Sequence, residues 1–189
     1  MAGRTGSVRI IAGEWRGRRL RFPAADGLRP TSDRRRETLF NWLGADLTGL
    51  HCLDLFAGSG ALGFEAASRG ASRVVMVESA RAVVRSLTQS RDELGAEQVE
   101  IVGQPADRFL ATAEPTPWDI VFLDPPFARP ELARAAVTTL AAQPLAPQAR
   151  IYIEIDAHRR EELPIPTTWE RHREMTAGDA HGLLYIATT

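Results

Sequence analysis

Lysine is absent from this 189-residue sequence, and all 23 basic side chains are arginines. That rules out one phosphate-binding device, because a G-x-x-x-x-G-K-[ST] loop cannot be built without its lysine. Cysteine is almost absent. Cys52 stands alone in "GLHCLDLF", so no internal disulfide can form, and its apolar setting reads as a buried, reduced thiol. His51, His158, His172 and His181 are scattered without metal-ligand spacing, and the sequence suggests no metal. No apolar run approaches the ~20 residues that cross a bilayer. "MAGRTGSVRI" lacks the apolar segment of a secretory signal. These absences favour a cytoplasmic protein with no membrane partner. No internal repeat, low-complexity linker or dimer seam is visible, so the chain reads as a monomer.

The formal net charge of -1 hides an asymmetry. Residues 1–36 carry ten arginines against Glu14, Asp26 and Asp33, a balance of +7, and the remainder carries -8. A basic end on an acidic body suits a polyanion. A merely solvated basic face is the plainer alternative. Val8 to Ile11 is a short strand candidate. "GEWRGRRLRF" follows, turning at Gly13 and Gly17, with Leu20 and Phe22 alternating with arginines. This predicts a small hairpin with one basic face. Arg16, Arg18, Arg19 and Arg21 are its candidate polyanion contacts, and Trp15 either packs inside or stacks on nucleic acid. A loop, "PAADGLRPTSD", leads to a helix over "RRRETLFNWLGADL", capped by Ser32 or Asp33 and closing at Gly44. Residues 1–28 thus form a basic extension and residues 29–189 the main domain.

Downstream, strands alternate with helices. "HCLDLF", "RVVMVE", "VEIV", "DIVFLD" and "RIYIEI" are strand-like, with helical stretches between them. Strands apolar on both faces and separated by helices predict an α/β fold with a mostly parallel, Rossmann-like sheet. "TWERHREMT" and "LLYIAT" have no helix between them and predict a closing antiparallel hairpin.

Three of these strands end in an acid: Asp54, Glu78 and Asp124. In such sheets ligands bind beyond the carboxyl ends of the strands. Gly58, Gly60 and Gly63 fit G-x-G-x-x-G, but Asp54 precedes them, and a carboxylate there repels a pyrophosphate and attracts a cation. Glu78 stands where an acid meets ribose hydroxyls. A ribose and a cationic amino-acid end without phosphate describe S-adenosylmethionine. Its candidate contacts are Asp54, Phe56, Gly58, Gly60 and Glu78. Beyond the third strand, Pro105 has no N–H, so Ala106 is the donor candidate for adenine. Asp107 either accepts from the adenine amine or caps a short helix.

"DPPF", Asp124 to Phe127, makes a rigid corner. Asp124 and the Pro125 carbonyl can accept the two hydrogens of an exocyclic amine, Pro126 holds the turn, and Phe127 can stack on the base. This orients a nitrogen lone pair rather than supplying a strong base. The alternative is a proline turn with Phe127 in the core.

"DLFAGSGALGFEAASRGA", "FLDPPF" and "RPTSDRRRETLFNWL" together resemble the RsmD family, bacterial small-subunit rRNA guanine-N2 methyltransferases. The likeness runs from about Val8 to the C-terminus. It implies a class I methyltransferase fold with a seven-stranded sheet, and S-adenosylmethionine at Asp54 to Gly60 and Glu78. It implies a target guanine of 16S rRNA, free or in a small-subunit assembly intermediate, at Asp124 to Phe127. It also implies that the hairpin helps contact RNA and that Arg29 to Asp33 lie near the mouth of the site, with Arg34, Arg35 and Arg36 beside them. Pro105 departs from the family, which commonly has Asn or Asp there. An adenine-N6 methyltransferase and a non-catalytic RNA-binding protein with a relic fold are the alternatives.

Overall fold

A computed structural model describes residues 5–23, 32–158 and 162–188. Nine strands and five helices are present among them. The first two strands, β1 (Thr5–Arg9) and β2 (Arg19–Pro23), pair antiparallel, with Val8 opposite Leu20 and Arg9 opposite Arg19. Alternation decides which side faces in: Leu20 and Phe22 are buried, and Arg19 and Arg21 are exposed. Trp15 is also buried, which removes it as a stacking platform for nucleic acid.

Helix α1 (Asp33–Leu43) starts at Ser32, whose Oγ accepts the N–H of Arg35 at 3.4 Å, and ends at Gly44. The alternating body follows: β3 (His51–Asp54), α2 (Ala61–Ser68), β4 (Arg73–Val77), α3 (Arg81–Leu94), β5 (Val99–Val102), α4 (Ala106–Thr112), β6 (Trp118–Leu123), α5 (Pro130–Leu140) and β7 (Leu145–Asp156). β8 (Trp169–Ala177) and β9 (Ala180–Ala187) complete the sheet. The strand order is β5-β4-β3-β6-β7-β9-β8. β3 to β7 run parallel, and β9 is antiparallel to both β7 and β8, as the sequence predicts.

Side chains alternate across this sheet and build two cores. Cys52, Met76, Phe122 and Tyr152 pack beneath α1, α2, α3 and the hairpin. Leu53, Val75, Val121 and Ile153 pack against α4 and α5. Val8, Ile10, Trp15, Leu20 and Phe22 belong to the first core, so the hairpin is seated on the body. The chain order reverses between β3 and β6. β4, β5 and their helices go one way and β6 and β7 the other, which opens a crevice at the strand carboxyl ends.

Candidate functional site

That crevice is a cleft of about 1000 Å³. Asp54 at the end of β3, Glu78 just beyond β4, Asp124 just beyond β6, and Glu154 and Asp156 in β7 all line it. Phe56, Gly58, Pro125, Pro126 and Phe127 line it as well.

At the β3–α2 end, Asp54 is buried and its Oδ2 accepts the N–H of Gly63 at 3.1 Å. The carboxylate thus caps a free donor in the first turn of α2. Oδ1 makes no close hydrogen bond. Burial pushes the Asp54 carboxyl up to about 7; N–H groups of Gly63 and Phe56 oppose the shift, and Glu78 adds to it. Gly60 takes φ +79°, and a Cβ there would lie 2.7 Å from Phe64 and 2.8 Å from Leu87. A side chain would therefore meet both strain and crowding at this turn. Glu78 Oε2 accepts the N–H of Gly58 at 3.1 Å, and Oε1 accepts that of Ala80 at 2.8 Å. One carboxylate thus clamps the glycine loop and the start of α3 while facing the cleft.

Ala106 and Asp107 are placed differently. They open α4 behind Pro105, next to the strand that leads to Glu78, and are not among the cleft-lining residues. Asp107 is exposed in the first turn of that helix.

At the other end, Arg35 pairs with Glu154, and the Tyr152 hydroxyl donates to Glu154 Oε2 at 2.8 Å. Burial works against the charge of Arg35, but Glu154 and Tyr152 more than offset it and hold its pKa above the usual value. Burial, together with Glu154 and Asp124, raises Tyr152 well above the usual phenol. His158 closes this wall: its Nε2 lies 3.2 Å from Asp179 Oδ1, and its N–H donates to Asp156 Oδ1 at 2.9 Å. The sequence reading missed Glu154 and this wall; an acid inside the apolar "RIYIEI" breaks the pattern, but unlike Asp54 and Asp124 it does not stand at a strand end.

The predicted RNA-contact arginines divide into groups. Arg16, Arg18, Arg19, Arg21 and Arg34 are exposed. Arg29 lies outside the described residues. Arg35 faces the cleft rather than the outer surface. Arg36 corrects the expectation: it is fully buried, with Nη2 donating to Asp33 Oδ1 and to the Arg9 carbonyl, both at 2.7 Å, and Nη1 3.6 Å from Glu65 Oε2. It ties α1 to the hairpin and cannot reach a phosphate. The structure adds two arginines to the outer face. Arg81 and Arg85 are exposed on α3, beside Ser86, whose Oγ donates to the Arg21 carbonyl at 2.5 Å.

Residues 8–186 match the family model described as Conserved hypothetical protein 95. Ribosomal RNA small subunit methyltransferase D of Escherichia coli K12 is 45% identical over 182 residues, covering 96% of this chain and 90% of that protein. The chain belongs to the ribosomal RNA small subunit methyltransferase D family. The solved structure of the E. coli protein yhhF covers 97% of this family member and 99% of itself, with a TM-score of 0.87 at 42% identity. A Thermus thermophilus 16S rRNA N2 methyltransferase, RsmC, was solved in complex with AdoMet and guanosine. It aligns with a TM-score of 0.70 at 25% identity, over 98% of this chain and 50% of that one.

Proposed function

We propose that this methyltransferase D family member transfers a methyl group from S-adenosylmethionine to the exocyclic N2 amine of a guanine in 16S ribosomal RNA. One observation carries the reading: the Asp124–Phe127 corner opens into the same cleft as Asp54, Gly58 and Glu78. The residues fit the cofactor. Asp54 offers a buried carboxylate with an uncommitted oxygen to a cationic amino-acid end, and Glu78 stands where ribose hydroxyls can donate. The acidic lining favours a cation and disfavours phosphate, so the RNA backbone stays outside while the base enters. When bound, the cofactor supplies an electrophilic methyl on a sulfonium.

The protein's part is orientation. Asp124 and the Pro125 carbonyl accept the amine hydrogens, Pro126 fixes the turn, and Phe127 stacks on the base. The nitrogen lone pair is left pointing at the methyl, and aligning two bound reactants provides most of the acceleration. Asp124 or water then takes the proton. The exposed arginines of the 1–28 extension, with Arg34, hold phosphates. We read the enzyme as a cytoplasmic monomer acting on free rRNA or on an assembly intermediate.

The test is transfer from labelled S-adenosylmethionine to rRNA or subunits from a strain lacking the enzyme, followed by mapping of the modified base. N2-methylguanine in 16S rRNA is expected, and Asp124→Ala is expected to slow single-turnover transfer by about 10²-fold or more. N6-methyladenine as the product would overturn the guanine assignment.

A further inference from the structure

The guanine reading above leaves open how the cleft tells one base from another. β6 and β7 run parallel, with Phe122 opposite Tyr152 and Leu123 opposite Ile153. Carried one residue on, the same register sets Asp124 beside Glu154, on strands about 4.8 Å apart. By alternation, both side chains fall on the face of Phe122 and Tyr152. Glu154 is only 4% exposed. Its Oε2 is taken by Arg35 and the Tyr152 hydroxyl, which leaves Oε1 as the oxygen to meet a base. Arg35, on α1, reaches Glu154 through Nη2, and its Nε has no hydrogen-bond partner among the described residues, so the guanidinium keeps a donor for a further acceptor. Tyr152 fits because Gly182, opposite Glu154 on β9, carries no side chain; a Cβ there would lie 2.5 Å from the Tyr152 oxygen. A buried carboxylate beside a partly buried guanidinium at the base end of a methyltransferase cleft is costly unless something uses it.

The hydrogen-bonding types run in order: acceptor on Asp124, acceptor on Glu154, donor on Arg35. The pairing edge of guanine presents the complement in the same order: the N2 amine, the N1–H and the O6 acceptor. We infer that Asp124, Glu154 and Arg35 together read the pairing edge of guanine, with Glu154 accepting from N1–H and Arg35 donating to O6. Adenine fails this reading because its N1 is a lone pair and would meet the Glu154 carboxylate. The inference rests on the guanine-N2 reading, and it makes Glu154 and Arg35 specificity residues.

The discriminating substrate is an rRNA fragment with 2-aminopurine at the target position. That base keeps the N2 amine but has a lone pair at N1 and no O6. The wild-type enzyme is expected to prefer guanine by about a hundredfold or more in kcat/KM, since a site built to hydrogen-bond a group rejects the analogue lacking it. Glu154→Gln can still accept from Tyr152 and Arg35 but presents an amide donor to N1. It is expected to slow transfer to guanine, speed transfer to 2-aminopurine and shrink the ratio at least about tenfold. Arg35→Gln is expected to slow guanine while leaving 2-aminopurine nearly unchanged. S-adenosylmethionine affinity, measured alongside, reports whether each variant is folded. If Glu154→Gln does not fold, the Arg35→Gln ratio decides. An unchanged guanine to 2-aminopurine ratio in folded variants, with wild-type N2 methylation intact, overturns this inference alone. Absence of guanine-N2 transfer by the wild type overturns both it and the proposed function.

Discussion

Glu65 Oε2 accepts the backbone N–H of Ile11 at 2.7 Å, joining the middle of α2 to the chain just past β1. Oε1 takes the N–H of Ala12 at 3.0 Å and the Nε of Arg69 at 2.9 Å, and Glu65 is completely buried. One carboxylate thus holds the hairpin and balances Arg36 and Arg69.

Glu65→Ala would leave the buried Arg69 without its carboxylate, remove one of the two carboxylates beside Arg36, and strand two backbone donors. It is expected to destabilise the protein by about 3–5 kcal/mol, the range for breaking a buried pair from one side. Urea unfolding measures it, and limited proteolysis should show earlier cutting in residues 10–18. A midpoint equal to wild type would mean that the apolar seat of Trp15, Leu20 and Phe22 holds the hairpin without Glu65.

Glu78→Ala removes a clamp on Gly58 and Ala80 as well as the proposed partner for ribose hydroxyls. S-adenosylmethionine affinity should fall by roughly 1–3 kcal/mol, about the worth of one hydrogen bond to a charged group. Calorimetric titration checks this, and equal affinities would remove Glu78 from the cofactor site.

Asp54 gives the cleft a pH response. Its folded carboxyl is raised from 3.8 to about 7 by burial, so the folded chain binds more protons than the unfolded one between those values. By linkage, this group's contribution to stability falls as pH rises through the window, and the full cost of the buried charge is present above about pH 7. Cofactor affinity has the opposite sign, because a cationic ligand prefers the ionised form. Binding is expected to tighten from about pH 6 to about pH 8 and to release a proton near neutrality. Titration in buffers of different ionisation enthalpy detects that proton, and Asp54→Asn should abolish the trend. A flat wild-type profile would show that the ligand does not feel this carboxylate.

Arg18 and Arg19 are exposed and engage only neutral partners among the described residues, the Glu93 carbonyl and Ser7 Oγ. Reversing both to glutamate should weaken rRNA binding strongly and leave S-adenosylmethionine affinity unchanged. The log–log salt slope should become shallower by roughly one unit per lost phosphate contact. Filter binding across a salt series is the measurement. Unchanged slope and affinity would move the grip to Arg34, Arg81 and Arg85.

Much of this was legible because the informative residues break a local pattern. Asp54 and Asp124 interrupt apolar strands, and an acid at a strand end marks a ligand edge. The hairpin was legible from alternation, since Leu20 and Phe22 point in wherever Arg19 and Arg21 point out. Glu154 was harder. It sits between Ile153 and Ile155, and nothing local says that β7 reaches the cleft at that residue; its neighbours on β6 and β9 decide it. "RRR" at 34–36 was harder still. Three identical residues go to solvent, cleft and interior, and the fate of Arg36 depends on Glu65, a partner no window around α1 contains. Ala106 and Asp107 illustrate the reverse problem: strand order puts them near the β4 end of the cleft, but they are not among the residues that line it.

Arg35 and Arg36 are consecutive, so their side chains leave α1 about 100° apart. Glu154 holds one and Glu65 the other, and Arg150 on β7 donates to the Leu43 carbonyl at the helix end. The helix behaves as a keyed shaft with its phase locked at both ends. Adding or deleting one residue in its first turn would swing either the cleft key or the hairpin key out of its slot, and no sliding motion could restore both. The seat of the extension and this wall of the cleft are thus a single mechanical part, and changes to one must be matched in the other.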